Sequence, residues 1–256
     1  MAEEEGRYRA PALDKGLDIL ERLAAAEEGL SQAEIAKSLG RSANEIYRML
    51  DRLVRRGYVL RTAGDRYELT LKLFALGQRH PPTRRLVGQA MPLMRAFAKA
   101  AEQACHLAVY DRGRVVVIAQ IDAPSYFTYT MRVGAQLGLY STGSGHVLLA
   151  FAPPAERAFM EAEHEDGFED AAPPEGLAKR LAEVRARGYE LMPSAQVEGV
   201  QNISVPVLGP EGTVLAALTC PYMRRIDRDD RPDPRRTLAL LVEAGRDLSR
   251  LSGGTG

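Results

Sequence analysis

The hydrophobic pattern between Leu30 and Arg61 predicts two short helices in succession, because its apolar residues recur at helical spacing. The apolar face of the first helix is formed by Ile35, Ala36 and Leu39. The apolar face of the second is formed by Ile46, Leu50, Leu53 and Val54. Leu13, Leu17, Leu20 and Ala24 mark an earlier helix, which we expect to pack across the pair as a three-helix core.

Two helix-start signals support this interpretation. Ser31 stands three residues before Glu34, and Ser42 stands three residues before Glu45. In each pair the serine hydroxyl can accept a helical N–H while the glutamate reaches back to the serine N–H. Gly40 lies between them, where a helix end favours a residue that tolerates positive φ. The segment therefore predicts a helix, a tight turn and a second helix.

The outward face of the second helix carries polar and basic side chains: Asn44, Tyr47, Arg48, Asp51, Arg52 and Arg55. Amide and guanidinium groups of this kind read base edges when a helix lies in the major groove of DNA. The alternative is a plain helical hairpin with a solvated charged face. The flanking sequence favours the first interpretation, because residues 41–66 hold seven arginines against three acidic residues in a chain of zero net charge.

A β-hairpin follows the two helices, with a turn at Ala63-Gly64-Asp65 and arginines near its tip. Two helices followed by such a hairpin are typical of a winged helix-turn-helix. We therefore predict that the chain binds double-stranded DNA. The candidate DNA contacts are Ser42, Asn44, Tyr47, Arg48, Arg52, Arg61 and Arg66, while the N-terminal arm with Arg7 and Arg9 is an alternative phosphate contact or a frayed end.

The rest of the chain alternates between hairpins and helices. Helices are predicted over 71–78 and 83–104 on either side of Pro81-Pro82. Strands are predicted over 105–110, 115–121, 126–133, 203–208 and 213–220, and further helices over 146–151, 156–163, 176–187 and 235–251. This order indicates an α+β chain with an antiparallel sheet flanked by helices. We divide it into a DNA-binding domain (1–70), a helical linker (71–104) and a second domain (105–256).

Composition and charge exclude several other classes of protein. Zero net charge argues against a protein that coats nucleic acid generally and fits one confined basic surface. The N-terminus MAEEEGRYR does not resemble a secretory signal, and no apolar run is long enough to span a membrane. Cys105 and Cys220 provide no zinc spacing and no disulfide is expected. We expect a cytoplasmic protein without cofactor or metal.

The chain from about Leu13 to Leu251 resembles the IclR-type bacterial transcriptional regulators. The resemblance rests on ALDKGLDILERL, LSQAEIAKSLGRS and YELTLKLFALG, then on MRVGAQLGLYSTGSGHVLLAF and VEGVQNISVPVLGPEGTVLAAL. It implies a winged helix-turn-helix head joined to a GAF-like effector domain. It also implies dimers, which often pair into tetramers, on palindromic promoter DNA. The effectors of such proteins are commonly organic acids, aromatic acids or sugar-derived metabolites.

The same resemblance implies an effector site. Its residues here are Met131, Thr142, Gly143, Ser144, Gly145, His146, Val200, Asn202 and Thr219. His146 departs from the lysine usual in the family, and Asn202 departs from a small residue or cysteine. The segment 142–145 opens a predicted helix, whose free N–H groups favour a carboxylate. Alternatively, its glycines serve only a tight turn and helix packing.

Two other functions compete with this interpretation. An enzyme with a DNA-binding head would need a catalytic cluster, and the pair Cys105-His106 is the nearest candidate. Adjacent strand residues point to opposite faces of a sheet, so these two side chains cannot easily converge on one atom. We therefore expect that the chain is not an enzyme. A DNA-binding protein without effector is the other rival, and it predicts no response to any metabolite.

Overall fold

The computed structural model describes residues 10–79, 81–164, 172–227 and 231–254, and its contacts divide into two units between Pro81 and Pro82. The predicted arm with Arg7 and Arg9 lies outside the described residues. The segment predicted as a linker contains two separate helices. One of them falls in the first unit and the other in the second.

The first unit has a helical core and a small sheet. Its elements are α1 (Pro11–Ala24), β1 (Leu30–Ser31), α2 (Gln32–Ser38), α3 (Ala43–Arg55), β2 (Val59–Thr62), β3 (Arg66–Leu69) and α4 (Lys72–Arg79). The strands are antiparallel in the order β1-β3-β2. Ile19, Ile35, Ile46 and Leu50 are fully buried where α1, α2 and α3 meet. The winged helix-turn-helix is thus confirmed.

Both predicted capping boxes are present. The Ser31 hydroxyl accepts the N–H of Glu34, and the Ser42 hydroxyl accepts the N–H of Glu45. Gly40, in the turn between α2 and α3, has a φ of +61°, which glycine adopts without strain. The start and the end of each helix are therefore encoded locally.

The second unit is built on one antiparallel sheet. Its elements are α5 (Pro81–Ala101), β4 (Cys105–Asp111), β5 (Arg114–Ile121), β6 (Gln136–Leu137), α6 (Gly143–Phe151), α7 (Pro154–Ala162), α8 (Leu177–Arg187), β7 (Glu190–Pro193), β8 (Val200–Leu208), β9 (Val214–Met223) and α9 (Pro234–Leu251). The strand order is β6-β5-β4-β9-β8-β7. α5 and α9 cover one face, where Met94, Ile203 and Leu248 are buried, and α6 packs on the other face. The predicted α+β architecture is confirmed.

The prediction of a strand over residues 126–133 is wrong. Tyr126 and Val133 are 90% and 62% exposed, so the alternation of apolar and polar residues does not mark a buried face. The edge of β5 pairs instead with β6, which begins at Gln136, five residues after Met131. Arg225 stacks on the Tyr126 ring at 4.6 Å and donates to its hydroxyl at 2.5 Å. This segment is therefore held by side chains rather than by a strand ladder.

No described helix is both long enough and apolar enough to cross a membrane.

Candidate functional site

The outward face of α3 is open to a partner. Asn44, Arg48 and Arg52 are exposed, and Tyr47 is 56% exposed. None of these four side chains forms a hydrogen bond or ion pair with another described residue. The buried Ile46 fixes which side of the helix faces the core. Two guanidinium groups, an amide and a phenol are thus available on one helical face.

Two ion pairs hold α1 against the start of α3 and the turn before it. Lys15 bonds Glu45 at 2.6 Å, and Arg41 bonds Asp18 at 3.2 Å. The hydrogen bond from Lys15, with the further bonds from Ser42, lowers the pKa of Glu45 to about 2. Glu45 is therefore ionised at any physiological pH. Because its carboxylate is bonded to Lys15 and Ser42, it is not one of the unbonded side chains on the open face of α3.

The two candidate arginines of the hairpin β2–β3, Arg61 and Arg66, have different contacts. Arg61 is exposed and pairs with Asp65 across the turn at 2.6 Å. Arg66 donates to the carbonyl of Gly29 at 2.5 Å and lies 3.3 Å from Glu34. Arg61 thus remains available at the surface, while Arg66 is engaged in joining β3 to the start of α2. A DNA contact by Arg66 stays a prediction without support from this geometry.

In the second unit, Thr142 fixes the start of α6. Its hydroxyl accepts the N–H of Gly145 at 3.1 Å and donates to the carbonyl of Gly138 at 2.8 Å. The N–H groups of Gly143 and Ser144 belong to the first turn, which a helix leaves without intrahelical acceptors. The predicted anion-favouring end of a helix is therefore present, and it lies against the sheet.

A buried group of hydroxyls lies beneath this helix end. Ser144 Oγ is 2.9 Å from Thr219 Oγ1, and the Thr219 hydroxyl donates to Ser204 Oγ at 2.8 Å. A Cβ on Gly143 would lie 2.6 Å from Ser204 Oγ and 3.5 Å from Asn202 Cβ. The structure therefore brings together Gly143, Ser144, Asn202 and Thr219, four of the predicted effector residues.

Two other predicted residues lie elsewhere. Val200 lines a cavity of about 610 Å³ whose wall also includes Gln103, Tyr222 and Arg231, and which contains none of the other predicted effector residues. Met131 is half-buried in the segment between β5 and β6 and belongs to none of the described core clusters. That Val200 and Met131 share a site with the buried hydroxyls of Ser144, Ser204 and Thr219 stays a prediction.

His146 has an internal role. Its Nδ1 lies 2.8 Å from Glu190 Oε2, and its Nε2 lies 2.8 Å from the carbonyl of Tyr140. Glu190 is fully buried and also accepts bonds from Arg180 and Arg187 at 2.6 and 2.5 Å. Both ring nitrogens of His146 are therefore engaged within the protein, and its predicted effector role finds no support in this geometry.

Sequence reasoning did not single out Ser204 or Glu190, and it considered His106 only with Cys105, as part of a nucleophile or metal site. The alternation of Asn202 and Ser204 along one strand was a usable signal, because residues two apart share a face. Arg187 lies only three residues before Glu190, but His146 lies 44 residues away, and no local spacing indicates that partner. As predicted, Cys105 and His106 face opposite sides of the sheet, toward Met94 and Ser144 respectively.

Comparison with known proteins decides the family. Residues 12–63 match the model of the IclR helix-turn-helix domain, and residues 83–250 match the model of the C-terminal region of bacterial IclR transcriptional regulators. The chain belongs to the IclR family. The resemblance noted in the sequence is thereby confirmed, and the chain is a DNA-binding transcriptional regulator of this family.

Individual IclR-family proteins match along nearly the whole chain. The transcriptional regulator KdgR of Escherichia coli is 30% identical over 231 residues, which cover 89% of this chain and 87% of KdgR. An IclR homologue from Microbacterium hydrocarbonoxydans, crystallised with 4-hydroxybenzoate, has a TM-score of 0.77 at 22% identity and covers 94% of this chain and 98% of its own. HmgR of Pseudomonas aeruginosa has a TM-score of 0.73 at 26% identity, covering 94% and 99%.

In this IclR-family chain, the described residues contain no cluster of three His, Cys, Asp or Glu side chains that could hold a metal ion. The glycines of the α6 start are explained by packing. A Cβ on Gly145 would lie 2.0 Å from the carbonyl oxygen of Leu139, and one on Gly143 would meet Ser204. This geometry favours the packing explanation for the glycines, and it leaves the N–H groups of the helix end available.

Gly145→Ala is expected to lower the free energy of unfolding by about 1–3 kcal/mol, because the added methyl would collide with backbone that cannot move away. Gly88→Ala is the matched control, since Gly88 lies within α5 and nothing lies within 4 Å of its Cβ position. That substitution should be neutral or stabilising by up to about 1 kcal/mol. Urea denaturation followed by circular dichroism measures both. Equal stability of the two variants would contradict the packing described for Gly145.

Proposed function

We propose that the chain binds promoter DNA sequence-specifically through the outward face of α3, and that an organic or aromatic acid held in the second unit tunes this binding. The observation that supports the DNA-binding proposal is the set of unbonded polar side chains on the outward face of α3. Asn44, Tyr47, Arg48 and Arg52 are exposed on one side of a capped helix and make no bond with other described residues. Such a helix enters a major groove, where arginine and asparagine pair with guanine and adenine edges.

The hairpin supports the same docking. In winged helix-turn-helix proteins the recognition helix reads bases while neighbouring elements contact the backbone. Arg61 is exposed on β2 and can reach a phosphate by exchanging its partner Asp65, because a surface ion pair contributes only about 0–1 kcal/mol. Ser42, at the N-terminus of α3, is also exposed, but its hydroxyl donates to the carboxylate of Glu45 at 2.9 Å, so a phosphate contact would require the hydroxyl to exchange this partner.

We also propose that the chain acts as a dimer, which can pair into a tetramer. The support is an apolar surface on the first unit, where Leu71, Phe74 and Leu76 are 80%, 64% and 44% exposed. Exposed apolar patches of this kind mark interaction sites. Two copies would present two α3 helices to successive major grooves, which matches an inverted-repeat operator.

The effector part of the proposal rests on the start of α6. Its N–H groups and the helix dipole favour a carboxylate, and Ser144, Asn202 and Thr219 surround it with neutral hydrogen-bonding groups. A ligand can shift DNA affinity only through its different affinity for two arrangements of the protein. We propose that the helices between residues 71 and 104 transmit the change in arrangement from the second unit to the DNA-binding units of the dimer.

The test is a selection of DNA from a random pool, followed by fluorescence anisotropy with the enriched sequence. We expect an inverted repeat that binds at least about 10³-fold more tightly than unrelated DNA, with an affinity that falls as salt rises. An added acid effector should change the affinity for that sequence. Failure to enrich any sequence would contradict DNA reading by α3, and an unchanged affinity with every acid would contradict the effector part.

A further inference from the structure

The helices α5 and α9 form an antiparallel pair on one face of the sheet of the second unit. Gln89, in the N-terminal half of α5, donates to the carbonyl of Leu251, the last residue of α9, at 2.9 Å. At the other end of the pair, Arg231, just before α9, lies 2.9 Å from the carboxylate of Glu102, just after α5. The buried residues of both helices face the sheet, so their opposite sides form one outward surface.

This outward surface is basic. α5 contains no aspartate or glutamate along its whole length. Arg84 and Arg95 are eleven positions apart, which is about three helical turns, and Arg235 and Arg246 of α9 have the same spacing. Each pair therefore lies on one side of its helix. We define the basic surface by its exposed side chains, which are Arg84, Arg85, Arg95 and Lys99 of α5 and Arg235, Arg236 and Arg246 of α9.

The charge of the basic surface is not neutralised within the second unit. None of its side chains forms a hydrogen bond or ion pair with another described residue. Glu243 shares the outward side of α9, while Asp247 already pairs with Arg250, which we leave out of the surface for that reason. In a chain of zero net charge, this excess of positive charge is local. Such a surface attracts a partner of opposite charge.

The residues between the basic side chains favour a nucleic acid over a protein as that partner. Gly88, Pro92 and Ala96 of α5 and Ala239 of α9 are exposed and small. In the described part of these helices, the only exposed large apolar side chain is Leu251 at the end of α9. Protein interfaces are anchored by large apolar or aromatic side chains at their centre. Guanidinium groups without such anchors are suited to phosphate oxygens, which they bind in bidentate geometry.

We propose that the basic surface of α5 and α9 binds the phosphate backbone of the DNA that flanks the operator. This inference rests on the proposed DNA binding by α3 and adds a second contact region on the other unit. Arg84 follows Arg79, the last residue of α4, by five positions. A chain of that length spans at most about 18 Å, so the surface begins within reach of the DNA-binding unit whatever the arrangement of the two units.

The dimensions of the surface match several phosphates. α5 has 21 residues and α9 has 18, which correspond to about 32 and 27 Å of helix. A DNA duplex carries one negative charge per about 1.7 Å of its axis. Contacts of this kind carry no sequence information, but they release counterions and so add affinity that falls as salt rises. The basic surface therefore strengthens operator binding without changing which sequence is read.

The experiment compares two duplexes that contain the same selected operator, bound to the full chain. The short duplex has about 25 base pairs, which holds two half-sites one helical turn apart. The long duplex adds about 25 base pairs of unrelated sequence on each side, roughly 85 Å of flank, which is longer than either helix. We expect the parent chain to bind the long duplex about tenfold or more tightly, with a log–log salt slope steeper by about 2. Fluorescence anisotropy at several salt concentrations measures both quantities.

Two double variants test the surface. Arg95→Gln with Lys99→Gln changes α5, and Arg235→Gln with Arg246→Gln changes α9. Glutamine has a helix propensity close to that of lysine and arginine, so the helices should be retained. Each variant should reduce the advantage of the long duplex to about threefold or less and leave binding of the short duplex unchanged. Thermal melting shows whether each variant folds, and either variant alone decides the outcome if the other does not.

The control is Arg112→Gln with Lys179→Gln, which removes two exposed basic side chains outside the basic surface. It should keep the full advantage of the long duplex. Equal affinity of the parent chain for both duplexes would overturn the inference, and so would surface variants that behave like this control. In either case, intact binding of the short duplex would leave the proposed function standing and would point to an acidic protein as the partner of the surface.

A failure of the proposed function gives a different result. If the chain enriches no operator, sequence reading by α3 fails, and an unrelated duplex of the long length then tests the basic surface by itself. The surface variants should bind this duplex more weakly than the control variant, by about fivefold or more for each pair of lost charges. Equal binding by all variants would overturn the inference.

Discussion

Arg48→Ala is expected to weaken operator binding by about 5- to 150-fold, which corresponds to about 1–3 kcal/mol for one bidentate contact with a base. Arg48 lies on the exposed face of α3 one residue after Tyr47, and it has no partner among the described residues. Because the lost contact reads a base, discrimination between operator and unrelated DNA should fall by a similar factor. Fluorescence anisotropy at fixed salt measures both affinities.

Two control variants separate base reading from general charge. Arg61→Ala should weaken operator and unrelated DNA alike and reduce the salt dependence by about one phosphate contact. Arg250→Ala removes an exposed arginine of the second unit, which is 67% accessible and paired with Asp247, and should change neither affinity. If Arg48→Ala and Arg250→Ala bound the operator equally well, the assignment of α3 to the major groove would be wrong.

Glu190→Ala is expected to lower the free energy of unfolding by about 3–5 kcal/mol, because removing one member of a buried ion pair leaves the others uncompensated. Glu190 is fully buried and binds Arg180 and Arg187 on α8, and His146 on α6. It thereby joins two helices to the edge strand β7. Glu161→Ala is the control, since Glu161 forms only a partly exposed pair with Arg157 and should cost less than about 0.5 kcal/mol.

The same carboxylate makes stability depend on pH. Burial alone would raise the pKa of Glu190, but hydrogen bonds from His146 and Arg180 outweigh it and lower the pKa from 4.5 to about 2. A lowered pKa means that the folded state favours the ionised form. Its contribution is therefore complete above about pH 4.5 and is lost as the pH falls toward 2. In urea titrations the stability difference between parent and Glu190→Ala should shrink over this range. A difference that stays constant would contradict the ion cluster.

The parts of the fold that the sequence predicted correctly are those encoded by neighbouring residues. Ser31 and Ser42 each satisfy helix N–H groups three positions ahead, so the two helix starts could be read directly. The hairpin of β4 and β5 has its turn residues within a few positions. The same holds for the outward face of α3, since its buried positions Ile46 and Leu50 are spaced by one helical turn.

The parts that were missed depend on contacts distant in sequence. β1 is two residues long and exists through its pairing with β3, more than thirty positions away. β7 contains the charged Glu190, whose burial is stabilised by α6 and α8. The buried hydroxyls of Ser144, Ser204 and Thr219 could not be predicted as a cluster, because the register that places Ser204 beside Thr219 follows from the tertiary fold. Conversely, residues 126–133 show a local alternation of apolar and polar side chains, but among the described residues no strand pairs with this segment.

The most direct test of the central claim replaces Tyr47 with a photoreactive benzophenone amino acid and irradiates the chain bound to its operator. Tyr47 is 56% exposed on the proposed DNA face, and Phe159, 59% exposed on α7, is a matched aromatic control in the second unit. We predict covalent crosslinks to operator DNA from position 47, mapping to the major groove of a half-site, and none from position 159. Crosslinks from 159 but not from 47, on DNA that remains bound, would contradict the account.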